Sequence, residues 1–454
     1  MTLDIVILAA GKGTRMKSEQ AKVLHFLGEK PLITHVVQVA QSLNPQTLSV
    51  VVGHQAEAVK KELPRGVNSV NQEKQLGTGH AVAEAVKVLD DDNGMLLVMF
   101  GDVPLISVLT LRKVLEGADD YAISVLTANF INPGNLGRII RGVSGNIEKI
   151  VEAVDASQEE KTVQEINSGI MAIRKRDLIR WLPKLKPANA QGELYLTDMI
   201  EIALEESARV RAVVSDAADE VMGINTQWDL CNAERILQRR RVEELALEGV
   251  KIADPNRLDI RGEVQVGKDC FIDVNVVLNG SIVLGDGVSI GPGSVVSDST
   301  LAAGVKVLPH SVIDGAEIRA NSSIGPFARV RVGTVIGEGA KIGNFVETKK
   351  AILGPGSKAS HLAYLGDANI GANCNIGAGT VTCNYDGVEK NETKIGDGVF
   401  VGTNSTLVAP LQIDNDAFIA AGSTITSHVK ESDLAVGRSK QRNIEGWVPP
   451  SKRE

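Results

Sequence analysis

Aromatic residues are scarce in this sequence of 454 residues: phenylalanine, tyrosine and tryptophan together make up 3% of it. Long apolar runs are also lacking, so we expect no membrane-spanning helix. The first residues have neither the basic segment nor the cleavage site of a secretory signal, and we therefore expect a cytoplasmic protein. The formal net charge of -8 argues against a surface that binds nucleic acid.

Cysteine is sparse as well. The four cysteines, Cys231, Cys270, Cys374 and Cys383, form no C-x-x-C pair and do not have the spacing of metal ligands. We therefore expect four reduced thiols that serve as small residues of the core.

The second half of the sequence places an aliphatic residue at every sixth position over long stretches. A period of six fits neither an α-helix nor an ordinary sheet, but it is typical of a parallel β-helix, in which each short strand buries one aliphatic side chain. Such a prism is too narrow for aromatic rings, which accounts for their scarcity. The register is kept by Val266, Ile272, Leu278, Leu284, Ile290, Ile318, Ile324, Val330, Ile336, Ile342, Ile395, Val401, Leu407, Ile413, Ile419 and Ile425.

We assign residues 250–437 to this β-helix. The region resembles hexapeptide-repeat acyltransferases, and the resemblance implies a left-handed helix, an exception to the usual crossover handedness. The basic tail, residues 438–454, either is disordered or contacts an anionic cofactor.

The first half alternates short apolar runs with helical patterns. The runs Ile5–Ala10, Leu48–Val52, Met95–Phe100 and Ala122–Thr127 predict strands, so residues 1–227 should form an α/β, Rossmann-like domain with a mostly parallel sheet. Ligands of such sheets bind beyond the carboxyl ends of the strands. Residues 228–249 predict one long helix that links the two domains and stops at a glycine.

A glycine-containing loop follows the first predicted strand. The segment Leu8–Met16 contains Gly11 and Gly13, which let backbone amides approach an anion closely, but it is not a Walker A loop. Arg15 and Lys22 add two cations that are placed to neutralise the phosphates of a nucleoside triphosphate. Asp102 follows another predicted strand at the same edge of the sheet, and magnesium on a triphosphate needs about one or two such carboxylates.

Together these segments resemble the sugar-phosphate nucleotidyltransferase family. The resemblance implies that Asp102 and Asn225 hold Mg²⁺ and that Arg15 and Lys22 assist the reaction. Phe100 stands where a tyrosine is expected. The nucleotide and sugar contacts implied are Leu8, Ala9, Ala10, Gly11, Lys22, Gln72, Gly77, Thr78, Gly137, Glu152, Asn167 and Asn225. The implied chemistry is an in-line attack by a sugar-1-phosphate oxygen on the α-phosphorus, with pyrophosphate leaving.

Polar and aromatic residues interrupt the hexad register between Ile342 and Ile395, which suggests a binding surface. His361, within one of these interruptions, has the chemistry of a general base for acyl transfer to an amine.

With these motifs, nearly the whole chain resembles a family of bacterial bifunctional enzymes that make UDP-N-acetylglucosamine. Members transfer acetyl from acetyl-CoA to glucosamine-1-phosphate, then uridyl from UTP to N-acetylglucosamine-1-phosphate. The family is a homotrimer with each acetyltransferase site built between neighbouring β-helices. The resemblance implies that Glu347 orients His361, that Arg331, Lys349, Tyr364, Asn375 and Asn384 hold the sugar phosphate, and that Ala378, Tyr385, Thr403, Ala421 and Arg438 contact acetyl-CoA. Thr403 replaces an expected serine.

Two other interpretations stay open at this point. One is a single-activity nucleotidyltransferase whose β-helix only assembles or regulates, and His361 together with Asn384 and Tyr385 argues against it. The other is a non-enzymatic exchange-factor subunit with the same pair of domains, which the intact loop from Gly11 to Arg15 disfavours.

Overall fold

The computed structural model of the protein describes residues 2–89, 93–117 and 120–452. The chain divides into two compact units, with the division between Leu237 and Gln238. No helix in the described part of the chain has both the length and the apolar character needed to cross a membrane.

The first unit is built on a mixed sheet with helices on both faces. Its strands are β1 (Leu3–Ala9), β2 (Phe26–Leu27), β3 (Lys30–Pro31), β4 (Thr47–Val52), β5 (Asn68–Asn71), β6 (Met95–Phe100), β7 (Ile123–Asn129), β8 (Arg138–Arg141), β9 (Ile147–Val151), β10 (Glu165–Arg174) and β11 (Val210–Val214). Its helices are α1 (Leu32–Gln41), α2 (Ala56–Glu62), α3 (Thr78–Val86), α4 (Val108–Leu115), α5 (Lys175–Trp181) and α6 (Met199–Glu205).

The order of the main sheet is β11-β7-β10-β6-β1-β4-β5, and β10 runs antiparallel to both neighbours. Alternate residues of β1 enter opposite cores: Ile5 and Ile7 face one side, and Val6 and Leu8 face the other. Burial on both faces explains why the strand is apolar throughout instead of alternating. β1 and β6 are parallel neighbours, so the residues that follow them lie at the same edge.

A single helix, α7 (Gln227–Leu247), crosses the division between the units, where the sequence predicts a helix. Its first half belongs to the first unit. There Ala233 is buried in a cluster with Met16 and Leu27, and Glu234 Oε2 accepts a 2.7 Å hydrogen bond from the Gly28 N–H.

The second unit is a parallel β-helix of short strands. They are β12 (Lys251–Ile252), β13 (Leu258–Val266), β14 (Phe271–Ile272), β15 (Val276–Leu284), β16 (Ser289–Ile290), β17 (Val295–Ser297), β18 (Thr300–Leu301), β19 (Lys306–Val307), β20 (Val312–Asp314), β21 (Glu317–Ile318), β22 (Ser323–Ile324), β23 (Arg329–Val330), β24 (Val335–Ile336), β25 (Lys341–Asn344), β26 (Glu347–Leu353), β27 (Lys358–His361), β28 (Tyr364–Ile370), β29 (Asn375–Ile376), β30 (Val381–Cys383), β31 (Thr393–Ile395), β32 (Phe400–Val401), β33 (Thr406–Val408), β34 (Leu411–Ile413), β35 (Phe418–Ile419), β36 (Thr424–Ile425) and β37 (Leu434–Ala435).

The hexad prediction is confirmed. Every aliphatic residue of the predicted register is buried except Val266, which is partly buried against the same core. Strands of successive coils pair in parallel, as Ile272 pairs with Ile290 and Val401 with Ile419. The fold is thus an α/β unit followed by a left-handed β-helix of hexapeptide repeats.

The expectation for the cysteines holds only in part. Cys270 and Cys374 are buried in the β-helix core, Cys383 is partly exposed, and all four thiols are free. Cys231 is exposed, because it lies on a face of α7 that turns away from the apolar cluster around Ala233. The general tendency of cysteine to be buried does not determine which face of a helix a particular cysteine occupies.

Residues 438–452 are almost all exposed, and the last two residues of the predicted tail, 453 and 454, lie outside the described residues.

Candidate active sites

The glycine loop after β1 packs directly against Lys22. Gly13 has φ +62°, and a Cβ built on it would lie 2.5 Å from the Cβ of Lys22, so only glycine fits at this position. The side chain of Gln75 donates a 2.6 Å hydrogen bond to the carbonyl oxygen of Ala10 and fixes the start of the loop. The loop amides and the Lys22 side chain therefore serve one site.

Asp102 and Asn225 lie together at this edge of the sheet. The Ile224 N–H donates a 2.8 Å hydrogen bond to the carbonyl oxygen of Asp102, which brings the segment before α7 against the end of β6. Lys22 Nζ pairs with Asp102 Oδ2 and lies 3.1 Å from Asn225 Oδ1. Arg15 Nη2 donates to the same amide oxygen at 2.8 Å.

These two oxygen donors fit a magnesium ion. Carboxylate and amide oxygens are hard ligands of the kind Mg²⁺ prefers, and a protein cation already lies against both of them. Asp102 and Asn225 are therefore a suitable ligand pair for a divalent metal.

Two adjoining cavities open beside this cluster. The first, of about 340 Å³, is lined by the loop, by Lys22 and Asp102, and by further residues of the predicted nucleotide site: Leu8, Ala9, Ala10, Gly11, Gln72, Gly77 and Thr78. The second, of about 680 Å³, is lined by Arg15 and by the predicted sugar contacts Gly137, Glu152 and Asn167. Thr78, Phe100 and Glu193 line both cavities, so the two sets of residues surround one continuous depression.

Gln72 and the turn before α3 form the far wall of the first cavity. The Gln72 amide donates to the Gly77 carbonyl oxygen at 3.1 Å and lies 3.0 Å from His80 Nδ1. His80 Nε2 is 3.3 Å from a carboxylate oxygen of Glu84. Both ring nitrogens of His80 thus have partners, which leaves His80 a structural role.

The second cavity is narrow around Glu152. The backbone N–H of Asn167 donates to the Gly137 carbonyl oxygen at 2.9 Å, and a Cβ on Gly137 would come within 3.2 Å of the Glu152 carboxylate. Burial raises the pKa of Glu152, and the carboxylates of Asp155 and Asp198 raise it further. Carboxyl oxygens accept hydrogen bonds from hydroxyl groups, so Glu152 in the wall of this cavity suits a sugar ligand.

In the β-helix, His361 has a different partner from the expected one. His361 Nδ1 lies 2.6 Å from Asn344 Oδ1, whereas Glu347 pairs with Arg331 at 2.7 Å. Asn344 and His361 occupy equivalent positions on paired strands of successive coils, while Glu347 lies on the next face of the prism, in β26. In this structure the imidazole of His361 therefore contacts Asn344 and not Glu347, and the assignment of Glu347 as the residue that orients His361 stays a prediction.

Four of the five residues predicted to contact acetyl-CoA, all except Tyr385, follow His361 along one corner of the prism. Backbone hydrogen bonds connect Gly379 to Leu362, Asn404 to Ala378, and Gly422 to Thr403. A Cβ on Gly422 would lie 3.8 Å from Cδ of Arg438. We call Ala378, Thr403, Ala421 and Arg438 the coenzyme column. Since coils are about 4.8 Å apart, it offers an extended ligand a straight path away from His361.

Cations gather on the neighbouring face. The hydrogen bond and charge of Lys390 hold the pKa of Lys349 below its usual range, and Arg331 adds to the effect. Three positive charges at close range favour an anion such as a sugar phosphate.

Asn384 donates to Asp367 Oδ2 at 2.5 Å, and Tyr385 donates to the Gly387 carbonyl oxygen at 2.6 Å.

Tyr364 and Asn375 lie on the same coils. Tyr364 is paired with Glu347 in the register of β26 and β28, and Asn375 begins β29, which pairs with the strand of His361. The predicted sugar-phosphate contacts thus occupy consecutive coils around His361.

Sequence reasoning missed several residues of these sites. Gln75, Glu193, Asn344 and Lys390 had no assigned role. Gln75 lies three residues after Gln72 and Lys390 just after the Asn384–Gly387 loop, so proximity in sequence was an available signal for both. Nothing in the sequence marks Glu193, which enters the cavities from a distant loop.

Three family models match parts of the chain. The MobA-like NTP transferase domain matches residues 5–166, the GMPPB C-terminal domain matches residues 259–356, and the bacterial transferase hexapeptide model, with six repeats, matches residues 392–427.

Curated relatives called bifunctional protein GlmU are similar over their full length. The protein from Marinobacter nauticus is 48% identical over 99% of both chains. Those from Pseudoalteromonas atlantica and Legionella pneumophila are 47% and 48% identical over 100% of both chains. The solved structure of HddC from Yersinia pseudotuberculosis covers 52% of this chain and 99% of its own at 19% identity, with a TM-score of 0.40.

Proposed function

We propose a role for each site of this chain in the synthesis of UDP-N-acetylglucosamine, because the chain belongs to the bifunctional GlmU family. The chain is a bifunctional enzyme. It acetylates glucosamine-1-phosphate and then transfers uridyl to N-acetylglucosamine-1-phosphate. Family membership therefore confirms the two expected activities and excludes a single-activity enzyme or a non-enzymatic subunit. UTP and acetyl-CoA as substrates favour the cytoplasmic location that the sequence predicts.

For uridyl transfer, the observation that carries the proposal is the cluster of Lys22, Arg15, Asp102 and Asn225 beside the glycine loop. Asp102 and Asn225 would hold Mg²⁺, which neutralises phosphate charge when bound. The loop amides hold the phosphates, Arg15 and Lys22 balance the charge that develops, and Glu152 and Asn167 position the sugar. No nucleophilic side chain is needed, because positioning and electrostatics carry most of such a reaction.

For acetyl transfer, His361 accepts the amine proton as the nitrogen attacks the thioester carbonyl. The new C–N bond forms, the C–S bond breaks, and coenzyme A leaves as the thiol after taking up a proton. Asn344 holds the imidazole through Nδ1, which leaves Nε2 to take the proton. The sugar phosphate binds to Arg331, Lys349 and Lys390, and the coenzyme column takes acetyl-CoA.

Two separate assays test this assignment. N-acetylglucosamine-1-phosphate with UTP and Mg²⁺ should release pyrophosphate, and glucosamine-1-phosphate with acetyl-CoA should release a free thiol. Absence of either product from the folded protein would contradict the role given to that unit.

We also propose that uridyl transfer belongs to residues 1–227, that 228–249 are a linker helix, that 250–437 carry acetyl transfer, and that the tail 438–454 contributes through Arg438. The packing of α7 supports a stability prediction. A fragment that ends at Gln227 loses Ala233 and the Glu234 hydrogen bond to Gly28, whereas one that ends at Leu237 keeps both. The shorter fragment should be less stable by at least about 2 kcal/mol.

Urea unfolding of the two fragments measures this difference. Each fragment, once folded, should release pyrophosphate from UTP and N-acetylglucosamine-1-phosphate. Neither fragment should acetylate glucosamine-1-phosphate. Equal stability would show that the first half of α7 contributes nothing to the unit, and acetylation by either fragment would contradict the division of activities.

A homotrimer is the assembly we propose, and an exposed apolar column supports it. The rings of His310, Phe327 and Phe345 stack with centroids 5.2 and 5.5 Å apart, and Leu362 continues the column. Phe327, Phe345 and Leu362 are 49%, 57% and 61% exposed, which is unusual for a surface without a partner. Leu362 is adjacent to His361, so a second copy that covers this column would reach the acetyltransferase site.

Light scattering should therefore report about three chains per particle. Phe345→Ser should shift the particle toward smaller species and lower acetyl transfer in parallel, while uridyl transfer stays near normal. Phe26→Ser, which removes an exposed phenylalanine of the first unit, is the matched control. A monomer that acetylates at full rate would contradict a site shared between chains.

A further inference from the structure

The Lys22 ammonium group lies on the oxygen atoms that we assign to the metal. It pairs with Asp102 Oδ2 and lies 3.1 Å from Asn225 Oδ1, and Arg15 approaches the same Asn225 oxygen. Both proposed ligands are therefore already satisfied by cations of the protein. A divalent ion that enters alone would have to displace a positive charge from its own site.

We propose that Lys22, besides balancing charge on the phosphates, excludes divalent metal from Asp102 and Asn225 until the phosphates of the nucleotide draw its ammonium group away. The inference rests on the proposed function, because it takes Asp102 and Asn225 as the metal ligands. Its consequence is an order of binding: the metal enters with the triphosphate and not before it.

The electrostatics of the cluster support exclusion. The side chains of Lys22 and Asp102 are only 16% and 15% exposed, so solvent screens their interaction weakly. The protein also offers few ligands, since nowhere among the described residues do three His, Cys, Asp or Glu side chains gather in a way that could hold a metal. Mg²⁺ takes about six oxygen ligands, and one carboxylate with one amide supplies only two of them, so water and the phosphate oxygens of a nucleotide would have to supply the rest.

The local structure allows the lysine to exchange partners without refolding. Lys22 begins a short 3₁₀ turn, and the neighbouring Val23 and Leu24 are buried, so its backbone is anchored. Its Cβ lies against Gly13 of the loop whose amides we assign to the phosphates. Rotation of the side chain alone would therefore carry the ammonium group from Asp102 to a bound phosphate.

Titration of the intact protein with Mn²⁺ alone, followed by electron paramagnetic resonance, tests the proposal without any turnover. Lys22→Met should bind Mn²⁺ at least about fivefold more tightly than the wild type. Exposed ion pairs contribute up to about that factor, and the pair of Lys22 with Asp102 is mostly buried. Lys22→Arg keeps the charge and should stay within about twofold of the wild type. Lys12→Met removes an exposed charge of the same loop and is the matched control.

Asp102→Asn separates the two levels of the argument. With UTP present, when the proposal lets the metal enter, Asp102→Asn should bind Mn²⁺ more weakly than the wild type does, and equal binding there would show that the assigned metal site is wrong. If Asp102→Asn loses that binding but Lys22→Met gains none in the titration with Mn²⁺ alone, the metal site stands and exclusion by Lys22 is overturned. Thermal unfolding checks that each variant is folded, and Lys22→Gln replaces Lys22→Met if the latter is not. If Lys12→Met raises the affinity for Mn²⁺ as much as Lys22→Met does, the cause would be the loss of any positive charge near the loop, and the proposal would also be overturned.

Discussion

Replacement of His361 with alanine is expected to slow acetyl transfer about 10²- to 10⁴-fold, the range that general base catalysis typically supplies. The loss should appear in kcat more than in the KM for acetyl-CoA, because an imidazole that acts in the transition state contributes little to ground-state binding. Uridyl transfer should stay at the wild-type rate, since its residues belong to the other unit.

The measurement is thiol release under saturating glucosamine-1-phosphate. His428→Ala is a matched control, because His428 is also an exposed histidine of the β-helix whose ring nitrogen lies within hydrogen-bond distance of a side-chain oxygen. Its Nε2 is 2.8 Å from Oδ2 of Asp414. A folded His361→Ala variant with normal acetylation would reduce His361 to a structural residue.

The hydrogen bond to Asn344 adds a second expectation at the same site. Asn344→Ala should lower the kcat of acetylation, because the imidazole ring of His361 loses the hydrogen bond that fixes its orientation. Glu347→Gln should act mainly on the KM for the sugar phosphate through Arg331. The reverse pattern would restore Glu347 as the orienting residue.

Asp102→Asn should lower uridyl transfer about 10²- to 10³-fold, as the removal of one preorganised electrostatic group typically does. The amide keeps the shape of the side chain but removes the charge that a magnesium ligand supplies and that Lys22 balances. Acetyl transfer should be unaffected.

Pyrophosphate release at several magnesium concentrations measures the effect, and raised magnesium should restore part of the rate. Asp216→Asn removes an exposed carboxylate that pairs with Lys113 on the surface of the same unit, and it should leave the rate unchanged. A near-normal rate for Asp102→Asn at ordinary magnesium would exclude Asp102 as a metal ligand.

The β-helix could be predicted residue by residue because its period is local. One aliphatic residue per hexad enters the core, and each hexad repeats the same physical requirement, so Ile272 and Ile419 are buried for the same reason. The unbroken apolar run of β1 likewise predicts that both faces of this strand are buried.

Partners that depend on stacking of distant segments could not be found in this way. Asn344 and His361 are 17 residues apart, and only the paired register of their strands makes them neighbours. Lys22 contacts Asp102 and Asn225 across 80 and 203 residues of sequence. The sequence therefore indicates three polar residues near strand ends, but not the pairing of a lysine with the two proposed metal ligands. The exposure of Cys231 depends in the same way on which face of α7 packs.

One coupled measurement tests whether both activities reside in this chain. The protein is supplied with glucosamine-1-phosphate, acetyl-CoA, UTP and Mg²⁺, and UDP-N-acetylglucosamine is followed by chromatography. We expect the product to form with release of one thiol and one pyrophosphate per molecule, and to form at least about 100-fold more slowly in both His361→Ala and Asp102→Asn. Formation of product only when N-acetylglucosamine-1-phosphate is added, with no thiol released, would contradict the account and leave the β-helix without a catalytic role.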